Sequence, residues 1–198
     1  SNITYSDVFR ILLVPIYVMI VSNLVNMHSG YNGLQSGLSI IVLGTLVFKA
    51  WLDGILIYFI PVSAFLGGML SFWFFNKYPS QVFEGNIGSM MFGSLIGCVI
   101  VLSEYWWFGF FIMIPHTMNL ILWFIWLYQM RKDPLNYLEK DGNFKKFGMI
   151  DKSGFIIVPN CLTLKWIPNY YFELNETQST YIMYFVTFIF CLLGLLIF

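Results

Sequence analysis

The stretch NLVNMHSGYNGLQSG, residues 23–37, separates two apolar runs and contains three asparagines, one histidine and three glycines. The chain around it is 59% hydrophobic and only 10% charged. Soluble domains carry about 25% charged residues, so this protein cannot cover its surface with polar groups. Lipid is therefore the expected solvent, and so many amides between two apolar runs need a structural or functional reason.

The apolar runs have the length of membrane-spanning helices, which need about 17–25 residues. Six such runs are present, at 9–26, 34–51, 55–75, 87–103, 106–129 and 180–198. We therefore predict an all-α polytopic membrane protein with about six transmembrane helices. The chain, residues 1–198, is expected to form a single membrane domain.

The basic residues lie mostly on one side of the predicted membrane. If the loop at 27–33 faces the cytoplasm, alternation of the spans places 76–86 and 130–179 on the same side. Cytoplasmic loops carry an excess of basic residues, so we predict that these three loops are cytoplasmic. The formal net charge of zero argues against nucleic acid as a partner. Eight of the ten lysines and arginines then face inward, namely Lys77, Arg131, Lys132, Lys140, Lys145, Lys146, Lys152 and Lys165.

The loop at 130–179 is the largest polar segment, and we interpret it as a cytoplasmic loop within the membrane domain. Its sequence KKFGMIDKSGFIIVPN predicts two short strands, Lys145–Ile150 and Phe155–Val158. The turn Asp151-Lys152-Ser153-Gly154 between them has the composition of a hairpin connection. We therefore expect one small β-hairpin in an otherwise helical protein.

The opening stretch is the first candidate site. Asn23 and Asn26 are three residues apart and share one face at the predicted cytoplasmic end of a helix. Taken alone, they are most simply explained by amide hydrogen bonds between helices. The following Gly30, Asn32 and Gly33 tolerate positive φ angles or a close approach of the backbone to a ligand. Together these residues favour a loop that is wrapped around a bound group.

A second candidate site lies in YPSQVFEGNIGS, residues 78–89, on the same predicted face. Glu84, Gly85 and Asn86 precede a helix that is expected to start near Ile87. An acidic residue and an amide at a helix N-terminus can hold a cation or a phosphate group. The alternative is that Asn86 only caps the helix while Glu84 is solvated.

Basic residues form a third candidate directly after the fifth apolar run. Arg131 and Lys132 either anchor the membrane face or clamp an anion over the other two loops. Together with the amides, Glu84 and the aromatic Phe83, they form a set that suits a divalent metal and a phosphorylated nucleotide. Mg²⁺ prefers oxygen ligands and substrate phosphates, and basic groups neutralise a pyrophosphate.

These motifs resemble those of a known enzyme family. NLVNMHSGYNGLQSG resembles the NAxNxxxGxNGLxxG loop of the polyprenyl-phosphate N-acetylhexosamine-1-phosphate transferase superfamily, and YPSQVFEGNIG resembles its YPSQVFxGDT loop. NCLTL at 160–164, followed by Glu173, is similar to the family's NxTL…E segment before the last helix. The similarity is closest to the eukaryotic and archaeal branch, the UDP-GlcNAc–dolichyl-phosphate GlcNAc-1-phosphate transferases.

The resemblance implies Mg²⁺-dependent transfer of N-acetylglucosamine-1-phosphate from UDP-GlcNAc to a polyprenyl or dolichyl phosphate. That reaction is the first step of lipid-linked oligosaccharide synthesis for N-glycosylation. It also implies a role for individual residues. The positions that match the family are Asn26 and Asn86 for the metal, and Asn32, Gly33 and Phe83 for the uridine nucleotide. Arg131 and Lys132 lie roughly where the family has a basic RHR-type cluster, although no RHR string is present, and with Glu84 they are the candidates for phosphate or sugar contacts.

Two departures from the family pattern affect these expectations. Asn86 stands where the family has aspartate, so the site loses one negative charge and should bind Mg²⁺ more weakly. The family's Asp-Asp loop lies before the first motif, and no adjacent aspartate pair occurs in these 198 residues. We therefore expect the chain to be the C-terminal portion of a larger transferase and to be inactive alone.

Several alternatives stay open at this point. The missing loop could come from a preceding segment or a separate N-terminal half, and the protein could also form a homodimer. The membrane could be that of the endoplasmic reticulum or a prokaryotic plasma membrane. An inactive transferase paralogue, or a transporter or channel subunit whose amides line a pathway, would also fit the composition.

Overall fold

Helices account for nearly all regular structure in the protein. The computed structural model describes residues 5–134 and 148–198, with side chains from Ile11 onward. A short 3-10 helix, Leu56–Phe59, leads into the third α-helix. The prediction of an all-α membrane protein is confirmed. The α-helices in these ranges are α1 (Tyr5–Met27), α2 (Leu34–Leu52), α3 (Ile60–Asn76), α4 (Gly85–Leu102), α5 (Trp106–Ile112), α6 (Ile114–Lys132), α7 (Trp166–Tyr171) and α8 (Glu176–Ile197).

The membrane-spanning helices correspond to the predicted apolar runs. In the part of the chain that the structure describes, α2, α4, α8 and the 3-10 helix with α3 are long and apolar enough to span. The first run forms α1, whose described apolar portion, Ile11–Met27, is shorter. The fifth run is two helices, α5 and α6, which meet at an angle of 60° and together make a further candidate span.

The break between α5 and α6 has a local cause. Pro115 lies in the first turn of α6, and proline has no main-chain N–H to donate to the carbonyl four residues earlier. Its ring also crowds that carbonyl, so the α5 helix cannot continue through it. Met113 adopts a φ of −89° and a ψ of 1° at the junction. The single predicted span at 106–129 is therefore bent.

Helices α1 and α4 pack closely and run antiparallel. Gly97 faces Val18, and Gly93 faces the backbone of Ser22. The Ser22 hydroxyl donates to the main-chain oxygen of Met90 at 2.7 Å. Small residues let helix backbones approach in membranes, where hydrocarbon gives helices no hydrophobic drive to associate. The pairing places the end of α1 beside the start of α4.

The polar loops gather at one end of the helices. Ser36 in the first turn of α2 contacts Asn76 in the last turn of α3. Tyr184, near the start of α8, donates to the main-chain oxygen of Gly33. The opposite end carries the Lys49–Asp53 ion pair. The expectation that the loops at 27–33 and 76–86 lie on one face agrees with this arrangement.

The long polar loop contains the expected hairpin. Strand β1 (Met149–Ile150) pairs antiparallel with β2 (Ile156–Ile157), and the Asp151 carboxylate accepts from the main-chain N–H of Phe155 at 2.8 Å. Residues 145–147 of the predicted first strand lie outside the described residues. The second strand is shorter than predicted.

Two further features of this region were not predicted. Helix α7 lies between the hairpin and the last span. Helix α8 begins at Glu176, four positions before the apolar run at 180–198. Asn175 explains the early start, because its side chain accepts from the N–H of Gln178 and Gln178 bonds back in a capping box.

Replacing Gly93 with alanine should weaken the α1–α4 pairing. A Cβ atom there would lie 2.6 Å from Ser22 Cα, which is backbone and cannot move aside cheaply. Overpacking of this kind costs about 1–3 kcal/mol. Gly67→Ala on α3 is the control, because a Cβ there meets nothing within 4 Å. We expect a lower unfolding temperature only for Gly93→Ala, and equal melting of the two variants would contradict this packing.

Candidate active site

The loop between α1 and α2, residues 28–33 and here named the first loop, is fixed from both sides. The Gln35 side chain donates to the main-chain oxygens of Val25 at 3.1 Å and Asn26 at 2.8 Å in the last turn of α1. Gly30 has a φ of 109° and Gly33 a φ of 75°, both in the left-handed region. The predicted need for glycine in this loop is confirmed at these two positions.

The loop between α3 and α4, residues 77–84 and here named the second loop, is held by Asn76. This side chain is only 1% exposed. Its oxygen accepts from the Ser36 hydroxyl at 2.6 Å, and its nitrogen donates to the main-chain oxygen of Val82 at 2.9 Å and to Glu84 Oε2 at 2.7 Å. One buried amide therefore ties the second loop to the first turn of α2.

Asn76 was not predicted as a site residue, although an amide directly after an apolar run could have indicated it. Because Asn76 donates to Glu84, the alternative prediction that Glu84 is merely solvated is wrong. The structure does not show Asn86 as the cap of α4. The helix begins at Gly85, its N-cap is Glu84, and no side chain caps it. The Asn86 side chain is exposed at the start of the helix.

Asn26 and Asn86, the two expected metal ligands, lie on helices that are joined at Ser89, and the contact with Asn86 is to its main chain. The Ser89 hydroxyl lies 2.7 Å from Asn26 Oδ1 and 3.1 Å from the main-chain oxygen of Asn86. Asn26 Oδ1 has a second lone pair, and the Asn86 side chain lies at the surface. Asn23 is not part of this contact, because its nitrogen donates to Met19 in its own helix.

The donor set around Ser89 suits a hard cation with substrate ligands. Amide oxygens are ligands for Mg²⁺, which usually keeps waters and binds substrate phosphates as well. Among the residues that the structure describes, no group of three or more His, Cys, Asp and Glu side chains could hold a metal. Asn26 and Asn86 are neutral, so a cation here needs the negative charge of a phosphate.

The two residues expected to contact the uracil line different cavities. Phe83 is 75% exposed and, with Glu84, borders an apolar groove of about 310 Å³ between α3 and α4. Asn32 lines a smaller cavity of about 30 Å³ together with Lys77 and Tyr181. The Phe83 ring is free to stack on a base, but its joint action with Asn32 stays a prediction.

Arg131 and Lys132 lie in the last turn of α6, away from the point where this helix passes the end of α1. Asn119 marks where α6 passes the end of α1, since its side chain donates to the Met27 oxygen at 3.1 Å and accepts from Leu164 N at 3.0 Å. Arg131 follows twelve residues later, which is about 18 Å along a helix that rises 1.5 Å per residue. Their role in phosphate or sugar contacts stays a prediction.

Lys165 is the basic residue that reaches the first loop. Its Nζ contacts the main-chain oxygen of Ser29 and lies 5.1 Å from the centre of the Tyr31 ring. Burial lowers the pKa of this ammonium to about 8, although Glu176 acts in the opposite direction. From the sequence, Lys165 was predicted only to be one of the inward-facing basic residues.

Two histidines pack against each other beneath the first loop. His28 and His116 are each 1% exposed, and their ring centres lie 5.0 Å apart at an angle of 79°. Burial, with smaller effects of His116 and Lys165, holds the pKa of His28 well below its ordinary value. In the described part of the chain neither His28 nitrogen has a hydrogen-bond partner. Both rings therefore act as packing groups.

Similarity to known proteins defines the class of protein to which this chain belongs. The family model of glycosyl transferase family 4 matches residues 1–104, just over half of the chain. The chain belongs to this family of membrane sugar-phosphate transferases.

Three similar proteins come from two archaea and one bacterium. A protein of Methanocaldococcus jannaschii named as a glycosyltransferase is 29% identical over 198 residues, which are 99% of this chain and 62% of that protein. One of Saccharolobus solfataricus named as a UDP-N-acetylglucosamine–dolichyl-phosphate N-acetylglucosaminephosphotransferase is 30% identical over 77% of this chain and 44% of its own length. A phospho-N-acetylmuramoyl-pentapeptide-transferase of Lacticaseibacillus paracasei is 34% identical over 50% of this chain and 31% of its own length. The chain thus spans less than two thirds of each of these relatives.

Replacing Asn76 with alanine should release the second loop. The change removes the partners of the Ser36 hydroxyl, the Val82 carbonyl and Glu84 at once. Each buried polar group left unsatisfied costs about 1–3 kcal/mol. We expect a lower unfolding temperature and faster proteolysis within residues 77–84.

Asn23→Ala is the matched control for this change, because Asn23 bonds only within its own helix. Its melting temperature and its protease pattern should stay close to those of the wild type. If Asn76→Ala melted and was cleaved like this control, the assignment of Asn76 as the anchor of the second loop would be wrong.

Proposed function

We propose that this protein transfers N-acetylglucosamine-1-phosphate from UDP-GlcNAc to a polyprenyl or dolichyl phosphate. Family membership and an archaeal relative named for this reaction support the proposal. The observation that carries it is the contact of Asn26 with Ser89, which joins the end of α1 to the start of the helix that carries Asn86. That junction offers neutral oxygen ligands beside an exposed aromatic ring, as a metal-bound uridine diphosphate sugar requires.

The reaction exchanges one phosphoanhydride bond for another. An oxygen of the lipid phosphate attacks the β-phosphate of UDP-GlcNAc, the bond to the α-phosphate breaks, and UMP leaves with the electron pair. Mg²⁺ held by Asn26 and Asn86 would neutralise the charge of the pyrophosphate. Phe83 would stack on the uracil, while Asn32 and Gly33 would contact the nucleotide from the first loop.

Glu84, Arg131 and Lys132 are given different roles in this proposal. Glu84 is held by Asn76 and would act mainly by shaping the second loop. Arg131 and Lys132 would contact phosphate or sugar only if α6 moved toward the loops. The chain covers less than two thirds of its relatives, so the complete reaction is assigned to this chain together with an Asp-Asp loop. A preceding segment or a separate N-terminal half would supply that loop.

We place the site on the cytoplasmic face of the membrane, where the basic loops are expected. The membrane is then that of the endoplasmic reticulum or a prokaryotic plasma membrane, and the product is the first lipid-linked intermediate of N-glycosylation. A transporter would hold its polar groups near the bilayer midplane on broken helices. Here the amides lie at helix ends, which favours the transferase.

The proposed function is tested by UMP release in lipid nanodiscs. The complete protein is given UDP-GlcNAc, a polyprenyl phosphate and Mg²⁺, and three variants are compared with the wild type. Asn26→Ala should lose at least about tenfold in activity, because it removes a metal ligand. Asn86→Asp should stay active and need less Mg²⁺, because it adds a negative charge to the site. Asn23→Ala, an amide of the same helix outside the junction, should behave as the wild type.

Two results would count against the proposal. A wild-type protein that releases no UMP would indicate an inactive paralogue. Full activity in Asn26→Ala at limiting Mg²⁺ would show that the metal is held elsewhere.

A further inference from the structure

The first loop is held by residues that lie outside the region matched by the family model. That match ends at residue 104, whereas side chains from Lys165 to the first residue of α8 contact the loop at Ser29, Tyr31 and Asn32. We propose that Lys165 and Glu176 are positioning residues that hold the first loop in the shape that binds the uridine nucleotide. The inference rests on the proposed function and deepens it.

Glu176 fixes the main chain at Asn32. Its Oε1 accepts from the Asn32 N–H at 2.5 Å, across 144 positions of sequence. Glu176 is the first residue of α8, where the helix dipole favours a negative charge. Asn175 and Gln178 already cap this helix, so the Glu176 carboxylate is not needed as a cap and can accept a hydrogen bond from the first loop. Because Asn32 is the proposed uracil contact, Glu176 sets where that amide lies.

Lys165 fixes the loop three residues earlier. Its ammonium contacts the main-chain oxygen of Ser29 and lies over the Tyr31 ring, which favours a cation. Gly30 makes this approach feasible, because a Cβ atom there would collide with the Lys165 amine. On the far side of the ring the Tyr31 hydroxyl donates to Asn169 Oδ1 of α7 at 3.0 Å. The first loop is thus held by side-chain contacts at Ser29, Tyr31 and Asn32.

Stability alone does not account for a lysine at this place. Burial disfavours its charged form, and the nearby groups that face it are His28, Tyr31 and, from α8, the carboxylate of Glu176. A methionine of similar length could fill the space without that penalty. A buried charged side chain next to a loop that binds a ligand is typical of a functional position. Glu176 and Lys165 hold opposite ends of the loop, so losing either should loosen the same nucleotide contacts.

The experiment measures nucleotide affinity separately from turnover. Lys165→Met, Glu176→Ala and Glu176→Gln are made in the complete protein, with Lys152→Met in the exposed hairpin turn as the matched control. UDP binding is measured by calorimetry, steady-state kinetics by UMP release, and loop opening by hydrogen exchange over residues 28–33. We expect Lys165→Met and Glu176→Ala to weaken UDP binding and raise the KM for UDP-GlcNAc about tenfold, with faster exchange in the loop.

The remaining readouts separate positioning from a general structural role. The kcat, the KM for the lipid phosphate and the unfolding temperature should stay near wild type, because only nucleotide binding is altered. Glu176→Gln should keep most of the affinity, since its amide oxygen still accepts from Asn32 N–H. Lys152→Met should change nothing.

The possible outcomes are distinct. If the wild type binds UDP and both Lys165→Met and Glu176→Ala bind it equally well, this inference is overturned while the proposed function stands. If both variants lose kcat and thermal stability together with affinity, the two residues are structural and the inference is also overturned. If the wild type itself binds no uridine nucleotide, the proposed function fails, and this inference fails with it.

Discussion

The hydrogen bond between Ser89 and the Asn26 side chain is the contact on which the candidate site depends. It joins the last turn of α1 to the first turn of α4 and so brings two loops of distant sequence to one place. The bond can form only because Gly93 and Gly97 let the two helix backbones approach. Helix packing within the membrane thereby sets the geometry of a polar site at its surface.

The asparagines of this region divide according to how much of their hydrogen-bonding capacity the fold uses. Asn76 is buried and bonded through both its oxygen and its nitrogen, so it serves the structure. Asn26 shares its oxygen with Ser89 and keeps a lone pair, while the Asn86 side chain is exposed. Unpaired amides are costly in lipid, so the two with spare capacity lie at the helix ends, where a ligand can reach them.

Much of the fold could be predicted because apolar length and loop chemistry are local properties. The helices, the hairpin turn at Asp151 and the left-handed glycines of the first loop follow from such signals. Pro115 was visible in the sequence, but its consequence was not: the single predicted span at 106–129 is bent by 60° at the α5–α6 junction. Lys165 and Glu176 could not be predicted as partners of the first loop, since their contacts span 136 and 144 positions.

The account is tested most directly by a high-resolution structure of the complete protein with Mg²⁺ and UDP-GlcNAc. It predicts a cation at the Ser89 junction with the side-chain oxygens of Asn26 and Asn86 and a pyrophosphate oxygen as ligands, at about 2.1 Å. The uracil should lie against Phe83, with the first loop closed on it. A cation bound without either asparagine, or a nucleotide bound away from both loops, would contradict the central claim.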